Sequence, residues 1–194
     1  MADLGSLTAS AGVAGGSSQA GESNFNSAPA DALETIAGAD DGDYAYVNQN
    51  ASGTYGTYYE LENMPSDFGS ILTLFARIRY GWDVAPGNSA WNNLYCRLET
   101  SAGVILAAAD AGGTYVTVAS SITDTSPVNS ANVSFSYVNT GATKAQWDDA
   151  WYRFAVVRTK TKGGSTAQQR IYAAEVNGTY DVYVPPDTKY YFIT

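Results

Sequence analysis

Between residues 71 and 82 the side chains alternate: Leu72, Leu74, Ala76, Ile78, Tyr80 and Trp82 fall on one side, Thr73, Arg77 and Arg79 on the other. A period of two is the signature of a strand with one buried face. Residues 91–99 repeat it, with Leu94, Cys96 and Leu98 inward and Tyr95, Arg97 and Glu99 outward. Cys96 then reads as a small core residue rather than a nucleophile. Further strands are predicted over 43–49, 55–62, 114–120, 131–138, 151–160 and 169–176. Their inner sets include Val116 with Val118, Val133 with Phe135, and Tyr152, Phe154 and Val156. Ser52-Gly53 marks a turn between the first two of these strands. Gly163-Gly164-Ser165 predicts a hairpin between the last two. One short helix is expected from Lys144 to about residue 149, with Thr143 as its N-cap. Many strands broken at about ten-residue intervals by turn residues predict an all-β chain folded as an antiparallel β-sandwich.

The pattern fails at both ends. Residues 1–32 are rich in Gly, Ala and Ser and show no sustained period, so they read as an extended N-terminal arm to a sandwich over 33–182. Gly15-Gly16-Ser17-Ser18 is linker chemistry. An arm with so little apolar surface is expected to take shape only against a partner, anchored by Leu4, Leu7, Val13 and Phe25, against the plainer reading that these four are merely scattered. Residues 183–194 form a short C-terminal tail, because Pro185-Pro186 removes two backbone donors and stops a strand. Tyr190, Tyr191 and Phe192 make that tail apolar enough to fold back as a strand or to pack on a neighbouring subunit; they join the partner-binding candidates.

Composition sharpens this picture. The chain has 194 residues and a net charge of −9, with 15 Tyr, 4 Trp and 6 Phe. All ten acids and no base of residues 1–76 precede Arg77, while the nine acids and ten bases that follow nearly cancel. An acidic half repels nucleic acid, so no nucleic-acid partner is expected. No apolar run reaches the roughly 18 residues of a membrane span, so no membrane partner is expected either. The first residues lack the basic and apolar regions of a secretory signal, so a protein made in a cytoplasm and not exported is expected.

Several stretches carry a resemblance. They are residues 35–44 with the acidic turn Asp40-Asp41-Gly42-Asp43, the loop 64–70 before the long strand, 91–95, 143–154 with its short helix and Trp, and 173–176. Together they resemble the concanavalin-A/laminin-G-type jelly roll of tailed-bacteriophage virion proteins, over about residues 34–182. The resemblance implies a jelly-roll sandwich in a virion assembled in the host cytoplasm. It implies a capsid decoration or cement subunit, a homo-oligomer that binds the major capsid protein or other virion subunits. The alternatives it leaves open are a glycan-binding adhesin of a head fibre or tail, and a tail or neck adaptor.

Candidate chemistry is sparse. The chain has no histidine, which removes Ser-His-Asp and Cys-His arrangements and the commonest general base. Paired carboxylates remain for an enzyme reading, among Glu60, Glu62, Asp148, Asp149 and Glu175. Acids two apart on a strand are ordinary, however, and the expectation is a protein without catalysis and without a resident cofactor. Asp40, Asp41 and Asp43 offer oxygen ligands to Ca²⁺ in a turn, against the plainer reading of an acidic hairpin. Trp82, Trp91, Asn92 and Asn93 suit a sugar-stacking shelf, against the plainer reading of core tryptophans and turn asparagines.

Overall fold

A computed structural model of the chain describes residues 1–7, 9–14, 22–25, 44–48, 53–84, 92–158 and 167–185. Its elements begin with β1 (Ala2–Asp3), β2 (Ala9–Ala14), β3 (Glu22–Asn24), β4 (Ala45–Asn48), β5 (Gly53–Leu61), β6 (Phe68–Trp82) and β7 (Asn92–Thr100). They continue with β8 (Ile105–Ala108), β9 (Val116–Ile122), β10 (Val128–Asn129), β11 (Val133–Ser134), β12 (Tyr137–Val138), α1 (Lys144–Asp148), β13 (Ala150–Arg158) and β14 (Gln168–Val182).

Among the described residues the strands form two sheets. One has six strands around the β6–β14 pair, with β1 and β4 along β14 and β10 and β11 along β6. The other has eight in the order β12-β8-β7-β13-β5-β2, with β9 also on β7 and β3 also on β5. All pairings are antiparallel except β3 with β5. Ile71, Leu74, Ile78 and Trp82 of the first sheet share one apolar core with Leu94, Leu98, Tyr152 and Phe154 of the second. The chain is therefore nearly all-β, with two sheets joined through one core, as the alternation predicts. The helix also matches its sequence signal. Gln146 N–H donates to Thr143 Oγ1 at 3.3 Å, and Thr143 N–H donates back to Gln146 Oε1 at 2.9 Å. This capping box satisfies two donors that a helix start otherwise leaves open.

Other expectations are corrected. The alternation of the long strand changes phase at Leu72, which is 41% exposed while Ile71 is buried. The cause is an irregularity: Thr73 pairs with Thr179 but Ile71 with Tyr180, leaving Leu72 without an opposite residue. An extra residue on one strand turns the following side chains to the other face. Residues 131–138 are not one strand. Val133–Ser134 joins β6, and Tyr137–Val138 joins β8 in the other sheet, with buried Phe135 between them. The two predicted turns likewise join different sheets, since β4 and β14 lie in the six-stranded sheet and β5 and β13 in the eight-stranded one. Nine residues separate β13 from β14, which is ample to cross the core and longer than a tight hairpin needs.

The N-terminal segment differs most from its reading as a free arm. Where described, it belongs to the sandwich: β1 pairs with β14, and β2 and β3 pair with β5. Leu4, Leu7 and Phe25 are 5%, 6% and 8% exposed and sit in the chain's own core, so they are not free anchors for a partner. The segment needs little apolar surface of its own, because the open edges of β14 and β5 satisfy its backbone.

Candidate functional site

The outer face of the eight-stranded sheet carries a buried network of charged side chains. On β5, β7 and β13 the inward positions build the core, and the residues between them project to the opposite side. Strand register sets these in rows: Glu60–Trp151–Glu99, then Tyr58–Arg153–Arg97, then Gly56–Ala155–Tyr95. Outward here does not mean exposed. Arg153 is fully buried, and Arg97 and Glu99 are 6% and 7% exposed.

Charged groups stay buried only when paired. Glu99 accepts from Arg153 Nη1 at 3.0 Å and from Arg97 Nη2, so one carboxylate bridges two guanidiniums. The cover is the loop that follows β8. Its turn closes through Ala109 N–H to Thr114 C=O at 2.8 Å and Thr114 N–H to Asp110 Oδ1 at 3.1 Å. Hydrogen bonds to its carboxylate, from the Thr114 side chain first and then from the Thr114, Gly112 and Gly113 backbone, hold the Asp110 carboxyl below the usual aspartate range. Gly113 sits at φ +85, which favours glycine, and a Cβ there would lie 2.6 Å from Ile105 Cδ1. This conformation brings the Gly113 carbonyl to accept from Arg97 Nη1 at 2.6 Å. The loop also sets the Tyr115 ring 4.7 Å from the Arg97 guanidinium, and Arg153 Nε donates to the Tyr115 hydroxyl at 3.2 Å. Beside this network opens a cleft of about 460 Å³ lined by Thr54, Tyr95, Arg97, Tyr115 and Ala155. Trp151 and Tyr58 set their rings 4.5 Å apart, tilted by 30°, further along the face. Such a surface offers guanidinium and hydroxyl donors with aromatic faces, which suits binding. Among the described residues it presents no nucleophile beside a base.

The predicted site residues scatter. Trp82 is fully buried and donates its indole N–H to the Ile122 carbonyl at 2.9 Å, and Asn92 is fully buried, so neither belongs to an exposed sugar shelf. Their strand registers point both side chains into the core. Asn93 is half-buried and held by Ser121 N–H at 2.9 Å and the Tyr95 hydroxyl at 3.1 Å. Trp91, Asp40, Asp41, Asp43, Tyr190, Tyr191 and Phe192 lie outside the described residues, and Val13 is described only as part of β2. The carboxylates do not converge. Asp148 pairs with Lys144 at 2.7 Å, Asp149 accepts from Ser101 Oγ at 2.8 Å, and Glu175 pairs with Arg77 at 3.2 Å on the other sheet. Glu60 lies on the outer face of β5, and Glu62 is exposed beyond its end. Among the described residues no three thiol or carboxylate groups gather as a metal site needs.

Sequence reading missed the Arg97–Glu99–Arg153 network by assigning Arg97 and Glu99 to solvent. One signal was present: Arg153 is the sole charge in the run 151–157, and a charge inside so apolar a strand requires an opposite one nearby. Compared with protein-family models and with curated proteins, the sequence matches none.

Proposed function

We propose that the chain is a non-enzymatic structural subunit of a tailed-bacteriophage virion, a capsid decoration or cement subunit that binds and stabilises the head. The observation that carries this reading is the apolar exit of β14. Val182, Tyr183 and Val184 are 39%, 58% and 80% exposed in succession, and exposed Leu72 lies at the same end of the β6–β14 pair. The backbone there is held, since Tyr183 N–H donates to the Asp67 carbonyl at 2.7 Å. A fixed run of exposed apolar side chains marks a surface that another protein covers. Attachment is thus assigned to the C-terminal end, with the major capsid protein or another virion subunit as partner and a homo-oligomer as the working form. The N-terminal segment has a different task, completing the sandwich.

The test is deletion of residues 183–194, whose described members lie outside the core. The shortened chain is expected to fold and to lose binding to purified phage heads. Equal binding of both forms, or absence of the chain from intact particles imaged with a label on it, defeats the reading. A second reading, a glycan-binding adhesin, is favoured by the cleft beside Tyr95, Arg97 and Tyr115. A glycan array probed with and without chelator separates the two: saturable binding lost on Tyr95→Ala supports the adhesin, and no binding supports decoration.

A further inference from the structure

We propose that residues 1–25 are exchanged between two copies of this chain, each copy's β1, β2 and β3 completing the sheets of the other. Among the described residues the segment holds no pairing of its own: β1 pairs only with β14, and β2 and β3 only with β5. Leu4 N–H donates to the Gly178 carbonyl at 2.9 Å, and Leu7 and Val176 exchange both backbone bonds at 2.9 Å. Leu4, Leu7 and Phe25 fill places in the core. Among the described residues every strand pairing of the segment is made with the body of the protein, and a second copy offers an identical body.

Chain length permits the exchange. Eighteen residues, 26–43, separate Phe25 from Tyr44, and a tether of that size spans up to roughly 60 Å when extended. A body whose segment has left presents the backbone of β14 near Val176–Tyr180, the backbone of β5, and the hollows vacated by Leu4, Leu7 and Phe25. Unpaired strand edges recruit another strand, and an identical segment is the strand that fits. Closed and exchanged forms then share every contact outside the tether, so concentration sets the balance between them. A connection of eighteen residues holds its own segment at an effective concentration of about millimolar. Dilute chains close on themselves, and chains crowded to that density exchange. The inference does not rest on a virion setting; it holds wherever copies are dense.

Asp3 and Thr179 lie directly opposite each other in the β1–β14 pair, at a spacing a disulfide can bridge. The full-length chain carrying Asp3→Cys and Thr179→Cys is unfolded under reduction, refolded at about 10 µM, well below the tether's effective concentration, and at about 1 mM, close to it, then oxidised with glutathione disulfide. Non-reducing gels are expected to show internally bridged monomers in the dilute arm. In the concentrated arm, covalent dimers should appear, their ratio to monomer rising about in proportion to concentration while they remain the minority. Each variant with only one of the two added cysteines, beside the buried Cys96, should lack them. Internally bridged monomers alone in both arms overturn the proposal. Should the double variant fold poorly, the unmodified chain decides. Isotopically heavy and light chains refolded together at the higher concentration are expected to give mixed dimers that survive dilution, because release requires opening the core. No mixed dimers, or dimers that part as soon as they are diluted, equally overturn it.

Discussion

Glu99→Gln removes the charge that both Arg97 and Arg153 contact while keeping nearly the same shape. The side chains of Arg153, Arg97 and Glu99 are 1%, 7% and 9% exposed, so water does not take over the role of the lost carboxylate. Withdrawing one partner from a buried ion pair costs about 3–5 kcal/mol, much of it the desolvation of the cations left behind. For a chain of this size each kcal/mol lowers the melting temperature by about 2–4 °C, so a fall of roughly 6–20 °C is expected. Lys144→Ala is the internal control: that helix pair is about one-third exposed on each side, and its loss should cost about 0.5 kcal/mol. The assay is thermal and urea unfolding followed by tryptophan fluorescence, in low salt and in about 1 M NaCl, where exposed pairs are screened. The Glu99 effect should persist in salt. A decrease no larger than that of Lys144→Ala, or one that disappears in salt, refutes the assignment of the network as buried and mutually dependent.

Three further outcomes are expected. Burial pushes the Cys96 thiol up to about 12, an effect the Tyr152 hydrogen bond only partly offsets; at pH 8 about one thiol in ten thousand is then ionised, so Ellman's reagent should react only after denaturation, and prompt reaction of the folded chain contradicts the core placement. Gln169 is 1% exposed and, among the described residues, neither of its side-chain polar atoms has a hydrogen-bond partner; Gln169→Met should raise stability by about 1 kcal/mol in urea titration, and destabilisation counts against an unmatched amide. Because the Asp110 carboxyl is held below the usual range in the folded chain, its contribution is present above the unfolded aspartate value and is lost as pH falls through the lower folded value. The Gly113 amide resonance should therefore move with a midpoint below that of an ordinary aspartate, and a midpoint at or above it refutes the turn geometry.

The central strands were legible because each buries one face along its whole length, so Leu94, Cys96, Leu98, Tyr152, Phe154 and Val156 declare themselves by spacing alone. Two kinds of feature were not. The irregularity at Leu72 depends on how β14 is threaded opposite β6, which no local pattern encodes. The outer face hid its network because burial there comes from residues 109–115, a loop folded back over the sheet, and not from the strand's own period. Strands of two or three residues, such as β1 and β3, carry no periodicity at all. Leu4, Leu7 and Phe25 therefore looked scattered although each fills the core. Pairing partners distant in sequence decide such short strands, and Thr143 shows the contrast: a cap is written within four residues, and it is readable.

The β6–β14 pair, thirteen matched positions between two strands of fifteen residues, runs on the order of 50 Å. Tension applied at Val182 along the strand axis loads these rungs together in shear instead of unzipping them one after another. A molecule tethered by that end resists extraction with its stiffest element, and its weakest direction is sideways, where the ribbon peels.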